Sequence, residues 1–223
     1  MLIPRGGAGL INAVVENSKV PVIETGTGNC HLYVDAAADL DMAVTIALNA
    51  KTQRPSVCNA VETLLVHEQV AEAFFARAGE VLGGAGVQLH GGDARVLELS
   101  PGAVAATEAD FEAEWLSLDL SAKVVGSIDE ALAHVRRYST GHSEMIVSND
   151  ATAQHRWVHE VDAAAVLVNA SSRFVDGGGE FGFGGRDRDF DPEIACARTD
   201  GPAGDDFDEI RCGRNRADPG LTR

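Results

Sequence analysis

Short β-branched or apolar runs alternate with longer stretches of helical period, and this constrains the fold more than any other feature of the chain. Val20–Ile23, His31–Val34, Thr63–Val66, Val87–His90, Glu144–Val147 and Ala164–Val168 read as strands, and Ser121–Val125 leads into a helix. Between them lie helical patterns at 8–17, from Asp35 to just before Lys51, and at 69–82, 128–138 and 151–160. In the second of these, Leu40, Ala43, Val44, Ala47 and Leu48 fall at i, i+3, i+4, i+7 and i+8, behind Asp35 as the expected cap. Strand–helix alternation predicts an α/β fold with a largely parallel sheet. The order holds as far as Gly184 and then stops.

From Arg186 onward the chain is rich in Asp, Arg and Gly, with no apolar period of either kind. Ten of the 34 acidic residues and seven of the 18 basic ones lie in 186–223. Such a segment buries too little apolar surface to offset its chain entropy, so a disordered C-terminal tail is expected. The chain as a whole has 223 residues and a formal charge of −16. That balance argues against nucleic acid and against an anionic membrane surface as partners, since both need a basic face. No apolar run approaches the about 20 residues of a membrane span, and the N-terminus lacks a signal-peptide pattern. A cytoplasmic protein handling small molecules is the expectation. Cys30, Cys58, Cys196 and Cys212 are far apart, with no CxxC pair and no zinc-like spacing, which favours reduced thiols and no metal.

Cys58 stands out among them. A helical pattern ends just before Lys51-Thr52-Gln53-Arg54-Pro55-Ser56-Val57-Cys58-Asn59, Pro55 blocks its continuation, and a strand follows. A cysteine on a tight junction near a cation is placed to react, because a positive charge or a helix N-terminus favours the thiolate. The bland alternative is a buried structural cysteine. Arg54 and Arg173 are candidates for a carboxylate or phosphate, which guanidinium matches in bidentate fashion. A surface cation is the competing account for each. Asn29 reads as a pocket-lining residue, His31 as either core or site, Glu24 as surface, and His142 as a substrate-orienting or plain loop histidine.

Several runs together resemble the gamma-glutamyl phosphate reductase family of the aldehyde dehydrogenase superfamily. They are Leu2–Gly7, Gly28–Asp35, Asn49–Ser56, Cys58–Leu65, Glu114–Leu118, Gly141–Glu144 and Val168–Phe174. The resemblance covers residues 1 to about 184 in order. It implies an aldehyde dehydrogenase-like fold, with 1–36 a remnant of a Rossmann-like NADP-binding domain, 37–184 the catalytic domain, and 185–223 the tail. It implies NADPH-dependent reduction of gamma-glutamyl phosphate to glutamate 5-semialdehyde, with phosphate release, in proline biosynthesis. Cys58 matches the family nucleophile and would carry a thioester. Arg5, Gly6 and Gly7 match a cofactor-side turn, and Phe181 the segment closing over the nicotinamide. Homodimerisation and glutamate 5-kinase as pathway neighbour also follow from the family.

Two departures shape this expectation. The family's first strands and helices precede Met1, so the chain reads as N-terminally truncated. After Phe181-Gly182-Phe183-Gly184 the family motif is missing. Suitable codons for Asp189–Pro202, read one nucleotide later, spell Ile-Ser-Thr-Arg-Lys-Leu-His-Ala-Arg-Gly-Pro-Met-Gly, which is family-like, so a frameshift near Gly185 is expected. The competing readings are a non-catalytic fragment, half of a split enzyme, and an acylating or hydrolytic aldehyde dehydrogenase.

Overall fold

The structure, a computed structural model, describes residues 1–4, 8–22, 27–176 and 210–213. The strands are β1 (Cys30–Val34), β2 (Val61–His67), β3 (Gln88–Gly91), β4 (Val104–Ala105), β5 (Asp119–Val125), β6 (Ser143–Val147), β7 (Ala165–Val168) and β8 (Ile210–Gly213). They form one sheet in the order β4-β3-β5-β2-β1-β6-β7-β8, with every pair parallel. The helices are α1 (Ala8–Asn17), α2 (Leu40–Thr52), α3 (Glu68–Gly84), α4 (Ala94–Leu99), α5 (Glu108–Glu112), α6 (Ile128–Tyr138) and α7 (Ala151–Glu160).

A parallel sheet needs helices on both faces, and side-chain alternation along each strand sorts its residues between two cores. Leu32, Val34, Leu64 and Val66 point to one face, where Ala47 and Ala50 of α2 and Phe74 and Phe75 of α3 cover them. Tyr33, Leu65 and Ile146 point to the other, against Leu132 and Val135 of α6 and Trp157 of α7. Tyr33 and Trp157 stack with centroids 5.5 Å apart.

Several expectations need correction. The N-cap of α2 is Asp39, whose Oδ1 accepts from the amides of Asp41 and Met42, both at 3.1 Å. Asp35 instead ends β1, accepting from Ser148 Oγ at 2.6 Å, Tyr33 Oη at 3.1 Å and the Ala37 amide at 3.2 Å. A turn must intervene before the helix starts, and Asp35 lies too early to reach the first helical amides. Of the expected strand Val20–Ile23, the described residues 20–22 make one parallel bridge, between Leu2 and Val22, and Ile23 lies outside the described residues. The boundary expected after residue 36 divides one sheet, because β1 is hydrogen-bonded between β2 and β6 and is buried throughout. Residues 30–36 therefore belong with 37–176. Finally, Ile210–Gly213 pairs with Ala165–Val168 where no regular element was expected.

Candidate active site

The Cys58 loop hangs from the C-terminal end of α2. Thr52 Oγ1 bonds back to the Leu48 carbonyl at 2.7 Å, and residues 53–60 then turn through Pro55 into β2. This places Cys58 at the leading edge of the sheet, beside the starts of β1 and β6. Gly28 fits there for a steric reason: a Cβ on it would lie 1.5 Å from the Cys58 carbonyl oxygen. Two residues on, the Cys30 thiol donates to that same carbonyl, Sγ to O 3.2 Å. Cys58 is half-buried, whereas Cys30 is fully buried. Burial, then the neighbouring Glu144 charge, pushes the Cys30 thiol well above its ordinary range. The structural-cysteine description thus fits Cys30 rather than Cys58.

Arg173 fixes both flanks of the loop from a distant part of the chain. Its Nε donates to Gln53 Oε1 at 2.6 Å and its Nη1 to Asn59 Oδ1. Beside it, Ser172 Oγ donates to the Asn59 carbonyl at 2.5 Å and Asn59 Nδ2 to the Ser172 carbonyl at 3.2 Å. Ser171 Oγ reaches Asn49 Oδ1 at 2.7 Å. The chain leaves β7 toward this contact through Asn169, at a left-handed φ of 54°, whose side-chain amide pairs with the Ser148 backbone at 3.0 Å twice. Asparagine tolerates that conformation better than most residues.

The other expected site residues fall in different settings. Arg54 is exposed on the loop. His142 Nδ1 lies 2.8 Å from Ser143 Oγ and 3.9 Å from Cys30 Sγ, so its ring stands behind Cys30. Asn29 is buried, its Nδ2 donating to the carbonyls of Phe111 at 2.7 Å and Tyr138 at 2.9 Å. It clamps two segments instead of lining an open pocket. His31 is buried against Glu144. Arg5, Gly6, Gly7, Glu24 and Phe181 lie outside the described residues.

Sequence reasoning missed the charges beneath the loop. Lys51 Nζ and Glu62 Oε2 form an ion pair of 2.5 Å, both side chains fully buried. Burial pushes the Glu62 carboxyl up to about 7 against the opposing pull of Lys51, and burial likewise lowers Lys51. Glu62 Oε1 accepts from the Leu116 amide at 3.3 Å, with Leu116 at a left-handed φ of 54°. Two residues earlier, Glu114 Oε1 accepts from the Gly28 amide at 2.7 Å. The segment Glu114–Leu116 is therefore tied to both Gly28 and the buried pair. A pattern search by period could not find it, since each contact joins residues distant in sequence.

The edge also fixes the sign of the backbone field. α2 and α6 end here, so their C-terminal dipole ends face the loop and oppose a thiolate. At α2 it is the C-terminus, capped by Gln53, that adjoins the loop. Among the described residues no group of three or more His, Cys, Asp and Glu could hold a metal. No described helix is long and apolar enough to cross a membrane. A cavity of about 330 Å³ between the ends of α6 and α7, touching Ser139, Gly141 and Asp162, lies behind the Ser139–His142 turn. What the arrangement offers chemically, among the described residues, is one accessible thiol on a loop pinned from three sides.

No protein-family model matches the chain. It is 60% identical over 184 residues to the gamma-glutamyl phosphate reductase of Thermobifida fusca, matching 82% of this chain and 44% of that protein. The crystal structure of gamma-glutamyl phosphate reductase from Thermotoga maritima superposes with a TM-score of 0.78 at 52% identity, over 82% of this chain and 44% of the other. An acetylating aldehyde dehydrogenase from Geobacillus thermoglucosidasius, at 21% identity, has a TM-score of 0.62 over 80% of this chain and 48% of its own, a likeness of fold alone. The chain thus spans less than half the length of the curated relative it matches.

Proposed function

We propose, for a chain that over 184 matched residues belongs to the gamma-glutamyl phosphate reductase family, that Cys58 is the nucleophile in the reduction of gamma-glutamyl phosphate to glutamate 5-semialdehyde. The observation that carries this reading is the contrast between the two thiols. Cys58 is half-buried on a loop held by Gly28, Cys30 and Arg173, while Cys30 is sealed in and held protonated. Holding a nucleophile in one geometry removes much of the entropic barrier to attack.

In this reading the Cys58 thiolate adds to the acyl carbon of the acyl phosphate. A C–S bond forms, the C–O bond to phosphate breaks, phosphate departs with the electron pair, and a thioester remains. An acyl phosphate is already activated, so no strong acid is needed at the leaving group. NADPH, when bound, would supply the hydride that such a thioester needs to reach the aldehyde oxidation level. The residues expected on the cofactor side lie outside the described residues, so the steps derived for this chain end at the thioester. Arg54, exposed on the same loop as the cysteine, is the proposed contact for the substrate's anionic groups. Arg173 is engaged with the loop itself, which supports a positioning role.

Incubation of the chain with acetyl phosphate or gamma-glutamyl phosphate, followed by mass spectrometry, tests the nucleophile. One hydroxylamine-sensitive acyl group should map to Cys58 and be lost in Cys58→Ala. An adduct on Cys30, or one that survives Cys58→Ala, defeats the assignment.

A further inference from the structure

We propose that the α6 side of the sheet holds internal water, bound by Thr63, His31, His134 and Asn29 beneath the start of β1. In the parallel register His90 pairs with Ser121, Ser121 with Thr63, Thr63 with His31, and His31 with Glu144. Residues in register point to the same face, so these five polar side chains form one row across five strands. Tyr33 and Leu65, two positions further along their strands, place that row on the α6 and α7 side.

The two ends of the row are satisfied. His90 Nε2 lies 2.8 Å from Asp119 Oδ1, and Ser121 Oγ accepts from Trp115 Nε1 at 3.2 Å while donating to the Asp110 carbonyl at 2.8 Å. Glu144 accepts from the His31 amide at 2.8 Å and from Ser139 Oγ at 2.6 Å. The middle is not satisfied. Seven buried side-chain polar atoms of the described residues have no hydrogen-bond partner, and five of them are Thr63 Oγ1, His31 Nδ1 and Nε2, His134 Nε2 and Asn29 Oδ1. His31 Nδ1 is 3.1 Å from Glu144 Oε2, but it is not aligned for a hydrogen bond.

These residues are neighbours. The His31 and His134 rings meet edge to face at 5.5 Å, and His134 packs on Phe111 at 5.0 Å and Tyr138 at 4.5 Å. Asn29 Nδ2 bonds the backbone carbonyls of those same two residues. Buried polar atoms are nearly always paired, and a local excess of orphans is the usual mark of bound water. The chemistry selects water over an ion. Asn29 Oδ1 only accepts, the neutral His134 ring offers one nitrogen of either sense, and the Thr63 hydroxyl does both. A ligand facing this set must donate and accept at once and carry no charge.

The row also underlies the Gly28–Cys30 turn that meets Cys58, so its hydration stiffens the support of the reactive loop. Thr63→Val in the full chain separates the alternatives by sign. If the hydroxyl binds water, the thermal midpoint falls by about 2–4 °C, the scale of one lost hydrogen bond in a chain of this size. If the hydroxyl is a dry orphan, its removal leaves the midpoint unchanged or raises it, and the proposal is overturned. A high-resolution crystal structure of the unmodified chain provides the second measurement. Solvent density within hydrogen-bond distance of two or more of these atoms supports the site, and an empty, desolvated row refutes it.

Discussion

A side chain as small as a hydrogen atom decides the geometry at Cys58. Gly28 leaves room for the Cys58 carbonyl, and Gly28→Ala forces a backbone of the reactive loop aside. The cost should be on the order of 1–3 kcal/mol, as for overpacking elsewhere, read by urea unfolding together with slowed alkylation of Cys58. The two thiols should differ sharply toward iodoacetamide in the folded chain. Label is expected at Cys58 first, with Cys30 reacting only in urea, and peptide mapping of a time course would expose equal rates. Cys58 and Arg54 were visible in the sequence because a proline, a cation and a strand start surround them locally. Gly28, Glu114 and the Lys51–Glu62 pair were not, because their contacts join positions as far as 86 residues apart in sequence.

At the scale of elements, the two aspartates before α2 make different predictions. Asp39→Ala removes an exposed cap and should cost about 1 kcal/mol. Asp35→Ala should cost more, since it strips a buried acceptor from Ser148, Tyr33 and the Ala37 amide. Equal losses in chemical denaturation would contradict that ranking. The long helices and central strands were legible because their apolar period runs for two turns or more, or for several buried residues. α4, α5 and β4 were missed because they hold six, five and two residues, too few to show a period. The Ser172–Asp176 3-10 helix is as brief, yet its Ser172 and Arg173 hold the Cys58 loop. Arg173→Lys keeps the charge but loses the fork that spans Gln53 and Asn59. Cys58 alkylation should then change in rate while the unfolding midpoint moves little.

For the molecule as a whole, the buried polar groups set how stability follows pH. Burial, aided by the charges of His31, Lys123 and Arg137, takes His134 down to about 3 from an ordinary 6.5. The folded chain then keeps the ring neutral while the unfolded chain takes up a proton below pH 6.5. Stability is fully present above that value and falls as the pH drops toward 3, by at most about 1.4 kcal/mol per pH unit. Glu62 acts in the opposite sense between its ordinary 4.5 and about 7, because its folded form favours the proton. Comparison with His134→Phe isolates the histidine: the variant should lose less stability than the parent between pH 7 and pH 5, and parallel losses would rule the histidine out.

The bracing of the Cys58 loop by a residue from beyond β7 has one more implication. Arg173 spans Gln53 and Asn59, so the posture of the loop is held from outside its own sequence. Transplanting Lys51–Asn59 into a foreign parallel sheet would carry over the peptide but not its posture. The graft would stay slack until a side chain from elsewhere in the host gripped both of its flanks.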